Sequence, residues 1–124
     1  MRLVRLYCDD DGTSHIEEGE VAMAPVVYAP PAPALDLSPA MSASRVLLCR
    51  MPAGWFGDWH PTPVRQLFLA LAGTLEVAVS DGHVRHIRAG EVVLVEDLLP
   101  PGHTTRVVGP EPVLGAFLHL DGES

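Results

Sequence analysis

The sequence predicts an all-β fold, a sandwich or barrel of short strands, on three observations. Short apolar runs recur from residue 45 onward, residues typical of turns separate these runs, and no segment keeps a helical period. The chain has 124 residues, which suits one domain that is long enough to bury a hydrophobic core. We therefore expect a single all-β domain.

The first predicted strand runs from Met1 to Tyr7 and ends at the turn Asp9-Asp10-Asp11-Gly12. The spacing of this acidic turn also resembles a calcium loop. Tyr7 would then occupy the first ligand position, where it cannot serve, and no helical pattern flanks the turn, so we interpret the turn as solvated. The later predicted strands are Val46–Cys49, Leu67–Leu71, Leu75–Val79, Val84–Ile87, Val92–Val95, Thr105–Val108 and Val113–Leu118.

A segment rich in proline and alanine separates the first strand from the later ones. It runs from Val21 to Ser44, and its prolines disfavour helix and favour an extended path. Apolar residues such as Val27 and Tyr28 persist in it, which is typical of an arm that lies on a sheet of its own chain or of a partner. We expect residues 1–44 to form a strand and an arm that pack on a barrel of residues 45–124.

Some of the predicted strands are apolar on both faces, and Val92–Val95 is the clearest example. A strand with one face in water alternates, so both faces of this one must be covered. The core covers one face, and a second sheet, the proline-rich arm or a partner subunit covers the other. We accordingly expect a homodimer.

Charge and composition exclude several classes of function. With 8 basic and 16 acidic residues the formal net charge is -8, which repels nucleic acid and anionic membrane surfaces. The start of the chain does not resemble a secretory signal, and no apolar run is long enough to cross a bilayer. We expect a cytoplasmic protein that binds neither nucleic acid nor membrane, and we interpret Cys8 and Cys49 as small apolar residues without a disulfide.

Two segments carry the candidate chemistry. The first reads His60-Pro61-Thr62, then three residues, Gln66, six residues and Gly73. The second reads Gly90-Glu91, an apolar strand, and then Pro100-Pro101-Gly102-His103.

These segments resemble the two signature segments of the cupin superfamily. The first family segment usually reads H-x-H, three or four residues, E, six residues, G, so the spacing is kept here while Thr62 and Gln66 replace two ligand types. The span from Ala53 to Gly109 also resembles small single-domain bacterial cupins with a W-H-x-x-P-x-R-Q segment. The resemblance implies a cupin β-barrel, also called a double-stranded β-helix or jelly roll, with an extended proline-rich N-terminal arm.

The resemblance also implies a possible metal site formed by His60, Gln66 and His103. Imidazole is a good ligand for divalent zinc, iron, manganese or nickel, whereas an amide oxygen is a poor one and a threonine hydroxyl poorer still. The sequence leaves two cofactor alternatives open: one of these metals, or none.

A reaction without metal is the leading interpretation. His60 and His103 are the candidate catalytic residues, because imidazole transfers protons near neutral pH, and Asp58 is placed to fix the His60 tautomer. Such proton transfer suits an isomerase, cyclase or lyase acting on a partly apolar small molecule. The candidate substrate-binding residues are Gln66, Thr62, Trp55, Phe56 and Trp59.

Two alternatives to this function stay open. One is a metal-dependent oxygenase or isomerase, and the other is a ligand-sensing or structural module without catalysis. Arg65 is expected to form an ion pair at the rim. The other histidines, His15, His83, His86 and His119, lack partners at ligand spacing and are expected at the surface or a sheet edge.

Overall fold

The computed structural model describes residues 1–121 and contains strands and turns but no helix in that range. The described residues accordingly include no helix that could cross a membrane. The strands are β1 Arg2–Cys8, β2 Ser14–Glu20, β3 Ala24–Val26, β4 Leu35–Leu37, β5 Ala43–Met51, β6 Phe56–His60, β7 Gln66–Ala72, β8 Thr74–Val79, β9 Val84–Arg88, β10 Val92–Val95, β11 His103–Val108 and β12 Val113–Leu120.

The strands form two principal sheets. A six-stranded sheet has the order β2-β1-β10-β7-β12-β5, and a four-stranded sheet has the order β6-β11-β8-β9. Strand β1 pairs with β10 in parallel, and its pairing with β2 is antiparallel, as is every other pairing among residues 1–121. The predicted all-β jelly-roll fold is confirmed.

The core lies between these two sheets. Leu75, Val77 and Val79 alternate along β8 and are buried, and Val93 and Val95 do the same on β10 of the larger sheet. Successive side chains of a strand point to opposite faces, so this alternation turns one face of each sheet inward. Residues of both sheets belong to one hydrophobic cluster, which holds the sheets together.

The outer face of the larger sheet is also apolar. One row of directly opposed residues crosses four strands of this face: Leu94 on β10, Leu67 on β7, Leu118 on β12 and Val46 on β5. At the open edge, Val46 and Leu48 are 65% and 83% exposed. These strands are therefore apolar on both faces, as the sequence predicted, and the edge strand β5 is left in contact with water.

The proline-rich arm does not lie on that outer face. Its strands β3 and β4 pair with each other in a separate two-stranded sheet, and residues 22–36 are exposed. Strands β1 and β2, in contrast, are part of the larger sheet, so the first 20 residues belong to the barrel itself. The homodimer, with the arm packed on a barrel, stays a prediction.

An ion-pair cluster joins the β1–β2 turn to the β8–β9 turn. His15 on β2 donates from Nδ1 to Asp81 and from Nε2 to Asp9, both at 2.8 Å. The two bonds raise the pKa of His15, Asp9 contributing most. The pKa of Asp9 is lowered mainly by His15, and that of Asp81 is lowered by the His83 backbone N–H and by His15. Asp10 and Asp11 are exposed, as the interpretation of a solvated turn predicts, whereas the Asp9 carboxylate is hydrogen-bonded to His15 and to the backbone of the turn.

The His15 cluster makes stability depend on pH with a definite sign. A raised histidine pKa stabilises the folded state fully below the unfolded value of about 6.5, and this contribution is lost as pH rises through the folded-state pKa. The lowered aspartate pKa values add stability above about 3.9 that is lost as pH falls.

We therefore expect His15→Gln to lower the melting temperature most near pH 6, which is below the unfolded-state pKa of about 6.5. The effect should shrink progressively as pH rises toward about 9. Thermal unfolding followed by circular dichroism across this range measures the difference between variant and wild type. His83→Gln, the same chemical change at an exposed site, is the matched control and should give a small difference at every pH. A difference for His15→Gln that grows toward pH 9 contradicts the assignment.

Candidate functional site

A cavity of about 380 Å³ lies between the two sheets. Most of its wall is apolar and comes from the inner faces of both sheets, which supply residues such as Leu6, Val77 and Phe117. Its polar lining residues are His60, Thr62, Gln66, His103, Thr105 and His119. A mainly apolar cavity with a few polar groups is typical of a site for a small organic molecule.

Cross-strand pairing brings the polar residues together two by two. His60 on β6 lies directly opposite His103 on β11, and their ring centroids are 4.6 Å apart. Gln66 on β7 lies directly opposite His119 on β12 in the other sheet. Directly opposed residues share a face, so each sheet contributes one polar pair to the same cavity. The structure therefore brings His60, Gln66 and His103 to the wall of one cavity.

His103 is held by a buried carboxylate, Asp97. The Nδ1 atom of His103 donates to Oδ2 of Asp97 at 2.5 Å, and the Asp97 side chain is 0% exposed. Because Nδ1 carries the proton that Asp97 accepts, Nε2 of the neutral ring has a free lone pair. Asp97 thus fixes both the tautomer and the orientation of His103.

Alternation after β10 explains why Asp97 points inward. Val93 and Val95 face the cavity, and Asp97 follows at the same two-residue spacing. Glu96 between them points the other way and binds Arg5 at 2.7 Å and Arg65 at 2.5 Å. Burial acts to raise the pKa of Glu96, but the two guanidinium groups outweigh it and the pKa is lowered. Arg65 therefore forms an ion pair, as expected from the sequence.

The tautomer of His60 is also fixed, but by a different group from the one predicted. Its Nδ1 donates to the backbone carbonyl of Asp58 at 2.6 Å, which leaves Nε2 as an acceptor. The Asp58 carboxylate instead accepts the backbone N–H of Trp59 at 2.8 Å. The prediction identified the right residue beside His60 and the wrong group, because the Asp58 backbone carbonyl and not its carboxylate accepts the proton of the ring.

Gln66 is buried and oriented by Thr62. Its Nε2 donates to Oγ1 of Thr62 at 3.0 Å, and the Thr62 hydroxyl donates in turn to the carbonyl of Val64 at 2.7 Å. The backbone N–H of Thr62 donates to the carbonyl of Asp97 at 3.0 Å, which ties this segment to the His103 partner. The Oε1 atom and the second N–H of Gln66 remain available to a bound molecule.

The three candidate aromatic residues have different positions. Trp55 lines the cavity, whereas Phe56 and Trp59 are 54% and 47% exposed and do not line it. The register between β6 and β11 shifts between His103 and Thr105, so Gly57 lies opposite Thr105. A Cβ on Gly57 would lie 2.7 Å from Trp55 Cη2, so the absence of a side chain at Gly57 makes room for the indole.

The turn before His103 is held against β6 and β2. Gly102 has a φ of 73°, and a Cβ there would lie 2.0 Å from the backbone oxygen of His60, so only glycine fits. The buried Ser14 hydroxyl donates to the Gly102 carbonyl at 2.5 Å and accepts the Ser80 backbone N–H at 2.7 Å. These contacts hold the turn in the position that places His103 beside His60.

Sequence reasoning missed two residues of the site, Asp97 and His119. His119 was expected at the surface or an edge, but it lines the cavity because it continues the inward alternation of Gly115 and Phe117 on β12. The same two-residue spacing after Val93 and Val95 was the available signal for Asp97. His119 lies outside the two segments that carried the resemblance to a known family, and Asp97 lies within the second one, between its apolar strand and Pro100, at a position to which the resemblance assigned no role.

The strand order and the two facing sheets, with a histidine-lined cavity between them, define an all-β fold of two packed sheets. Among solved structures, the chain is similar to the cupin domain of Schizosaccharomyces pombe Cnp3, with 18% identity over 87% of this chain and 73% of that chain and a TM-score of 0.48. It is also similar to protein NMB1881 from Neisseria meningitidis, with 22% identity over 61% of this chain and 72% of that chain and a TM-score of 0.45. No protein-family model matches the sequence, and no curated protein matches it. These likenesses concern the fold alone.

The donors in the cavity fit a tightly bound divalent metal poorly. His60 and His103 supply two imidazoles, and His119, the third imidazole of the lining, does not form a ligand group with them. Gln66 is a neutral amide, and Asp97 is bound to Nδ1 of His103 instead of being free to act as a ligand. Within residues 1–121, no group of three or more His, Cys, Asp or Glu side chains is arranged to hold a metal ion. We therefore derive no chemical step through a metal.

Elemental analysis of protein purified without chelators should accordingly find zinc, iron, manganese and nickel well below one ion per chain. Treatment with a chelator followed by gel filtration should leave ligand binding and melting temperature unchanged. Stoichiometric metal that is lost together with ligand binding on chelation would instead support the metal-dependent alternative.

Proposed function

We propose that this protein binds a small, largely apolar organic molecule between its sheets and that His103 accepts a proton from it. The observation that carries the proposal is the buried Asp97–His103 pair, in which Nδ1 is occupied and Nε2 belongs to a ring that lines the cavity. The proton acceptor is therefore already in the required tautomer before a ligand binds.

Proton transfer to His103 is favoured by its partner. Once Nε2 takes a proton the ring becomes an imidazolium, and the adjacent Asp97 carboxylate stabilises that charge in a cavity of mainly apolar wall. Gln66 offers a hydrogen-bond donor to the oxygen on which negative charge develops in the ligand. His60, beside His103, offers a second acceptor. This arrangement suits isomerisation, cyclisation or elimination through an enol or enolate.

A binding function without catalysis would use the same cavity and differ only in the absence of turnover. The first test therefore measures proton transfer directly, with 2-tetralone as a neutral ketone probe in deuterated water. We expect the wild-type protein to accelerate exchange of the ketone's α-hydrogens for deuterium, measured by proton NMR. A single general base usually accelerates proton transfer roughly 10²- to 10⁴-fold.

The matched variants are His103→Gln and His83→Gln. Glutamine at position 103 keeps an N–H to donate to Asp97 but has no basic nitrogen, so exchange should fall to the uncatalysed rate. The same change at exposed His83 should leave the rate unaltered. Binding of the ketone without acceleration by the wild-type protein would favour the non-catalytic function.

Asp97 acts through His103 and is a positioning residue. In Asp97→Asn the introduced amide can donate to Nδ1, which shifts the ring toward the tautomer protonated at Nε2. We expect the exchange rate to fall roughly 10- to 100-fold, the usual effect of removing a group that orients a reactive side chain. The nitrogen-15 chemical shifts of the His103 ring should report the changed tautomer. A folded variant with the wild-type tautomer and rate would remove Asp97 from the mechanism.

A further inference from the structure

The polar end of the cavity presents mainly hydrogen-bond acceptors. His60 and His103 both use Nδ1 as a donor, to the Asp58 carbonyl and to Asp97, so both neutral rings have Nε2 as an acceptor. Gln66 uses one N–H toward Thr62 and retains its carbonyl oxygen and one N–H, so it adds an acceptor and a single donor to the two imidazole acceptors. A ligand that satisfies this surface must bring an O–H or N–H donor, because a buried acceptor without a partner is costly.

Charge in and around the cavity disfavours an anionic ligand. No arginine or lysine is among its described lining residues, and the only ionisable side chains in that lining are histidines. The guanidinium groups of Arg5 and Arg65 are bound to Glu96, which points to the opposite side of the chain from Asp97. With a formal net charge of -8, the whole chain also repels carboxylates and phosphates. The ligand should therefore enter uncharged.

The remaining wall is apolar and partly aromatic. Trp55, Phe68 and Phe117 line the cavity with aliphatic side chains between them, and the Phe68 and Phe117 ring centroids are 5.0 Å apart. The volume of about 380 Å³ is near the lower end of the usual range, about 300 to 1,000 Å³, for small-molecule sites. A flat ring system of one or two fused rings suits this space and these walls.

We infer that the ligand is a neutral, planar ring compound that carries a hydroxyl group of phenol or enol type. The hydroxyl donates to Nε2 of His103, with Nε2 of His60 and Gln66 beside it, and the ring lies against Trp55 and the phenylalanines. This inference rests on the proposed function, since the enol of a cyclic ketone has the same shape and the same donor. It adds a ligand class that the proton-transfer proposal alone does not specify.

Three probes with one ring system separate the possibilities: 2-naphthol, 2-methoxynaphthalene and 2-naphthoate. Isothermal titration calorimetry with the wild-type protein should show binding of 2-naphthol. The methyl ether should bind at least roughly tenfold more weakly, because it leaves a buried acceptor unpaired. The naphthoate should also bind at least roughly tenfold more weakly, because a second anion beside Asp97 is repelled.

A pair of variants assigns the hydroxyl contact to His103. In His103→Leu/Asp97→Leu, which removes the polar pair together and leaves no orphaned carboxylate, 2-naphthol should bind no more tightly than the methyl ether. The methyl ether itself should keep its wild-type affinity within roughly threefold. His83→Leu is the control and should leave all three affinities unchanged. The wild-type series is sufficient on its own should the double variant not fold.

The outcomes distinguish this inference from the proposed function. Equal binding of 2-naphthol and its methyl ether, or tightest binding of the naphthoate, overturns the ligand class and leaves a binding cavity. Failure of all three probes to bind overturns both the class and the proposed binding site. Binding of 2-naphthol without any exchange of 2-tetralone overturns the proton-transfer function alone and supports the ligand class.

Discussion

The interaction on which the site depends is the hydrogen bond between Asp97 and His103. Asp97 is fully buried, and its second oxygen, Oδ1, has no hydrogen-bond partner in the described part of the chain. Burying a carboxylate is costly unless a partner compensates it, so the neighbourhood must hold His103 firmly in place. The result is an imidazole whose proton position is set before any ligand arrives. The same pair thus compensates a buried carboxylate and fixes the proton position of the imidazole.

Several contacts from distant parts of the chain maintain that pair. Arg5 and Arg65 bind the Glu96 carboxylate and hold it on the outer side of the chain, so the next residue, Asp97, points inward. On the other partner, Gly102 packs against the His60 backbone, and Ser14 binds the Gly102 carbonyl, so the position of His103 is set from both sheets. Ion pairs that are half-exposed usually contribute little to stability, and here their consequence is orientation.

Sequence patterns predicted the strands well and the site in part. Period-two alternation identified the core strands, and family-like spacing selected His60, Gln66 and His103, which share the cavity. That spacing did not select Asp97 or His119, whose inward direction follows instead from the two-residue alternation that begins on β10 and β12. Trp59 is exposed because its neighbour His60 faces the cavity and successive side chains of a strand point to opposite faces. Phe56 lies opposite the exposed Arg106 and is exposed with it.

The parallel pairing of β1 with β10 has a consequence for how the protein acquires its site. Val4 pairs with Val93 and Leu6 with Val95. The larger sheet therefore cannot form completely until β10 is available to pair with β1. Contacts so distant along the chain are slow to form. During synthesis the N-terminal hairpin emerges long before its neighbour β10, and its apolar inner face stays without cover in that interval. The cavity cannot be complete until β12, which supplies Phe117 and His119 to its wall, has left the ribosome.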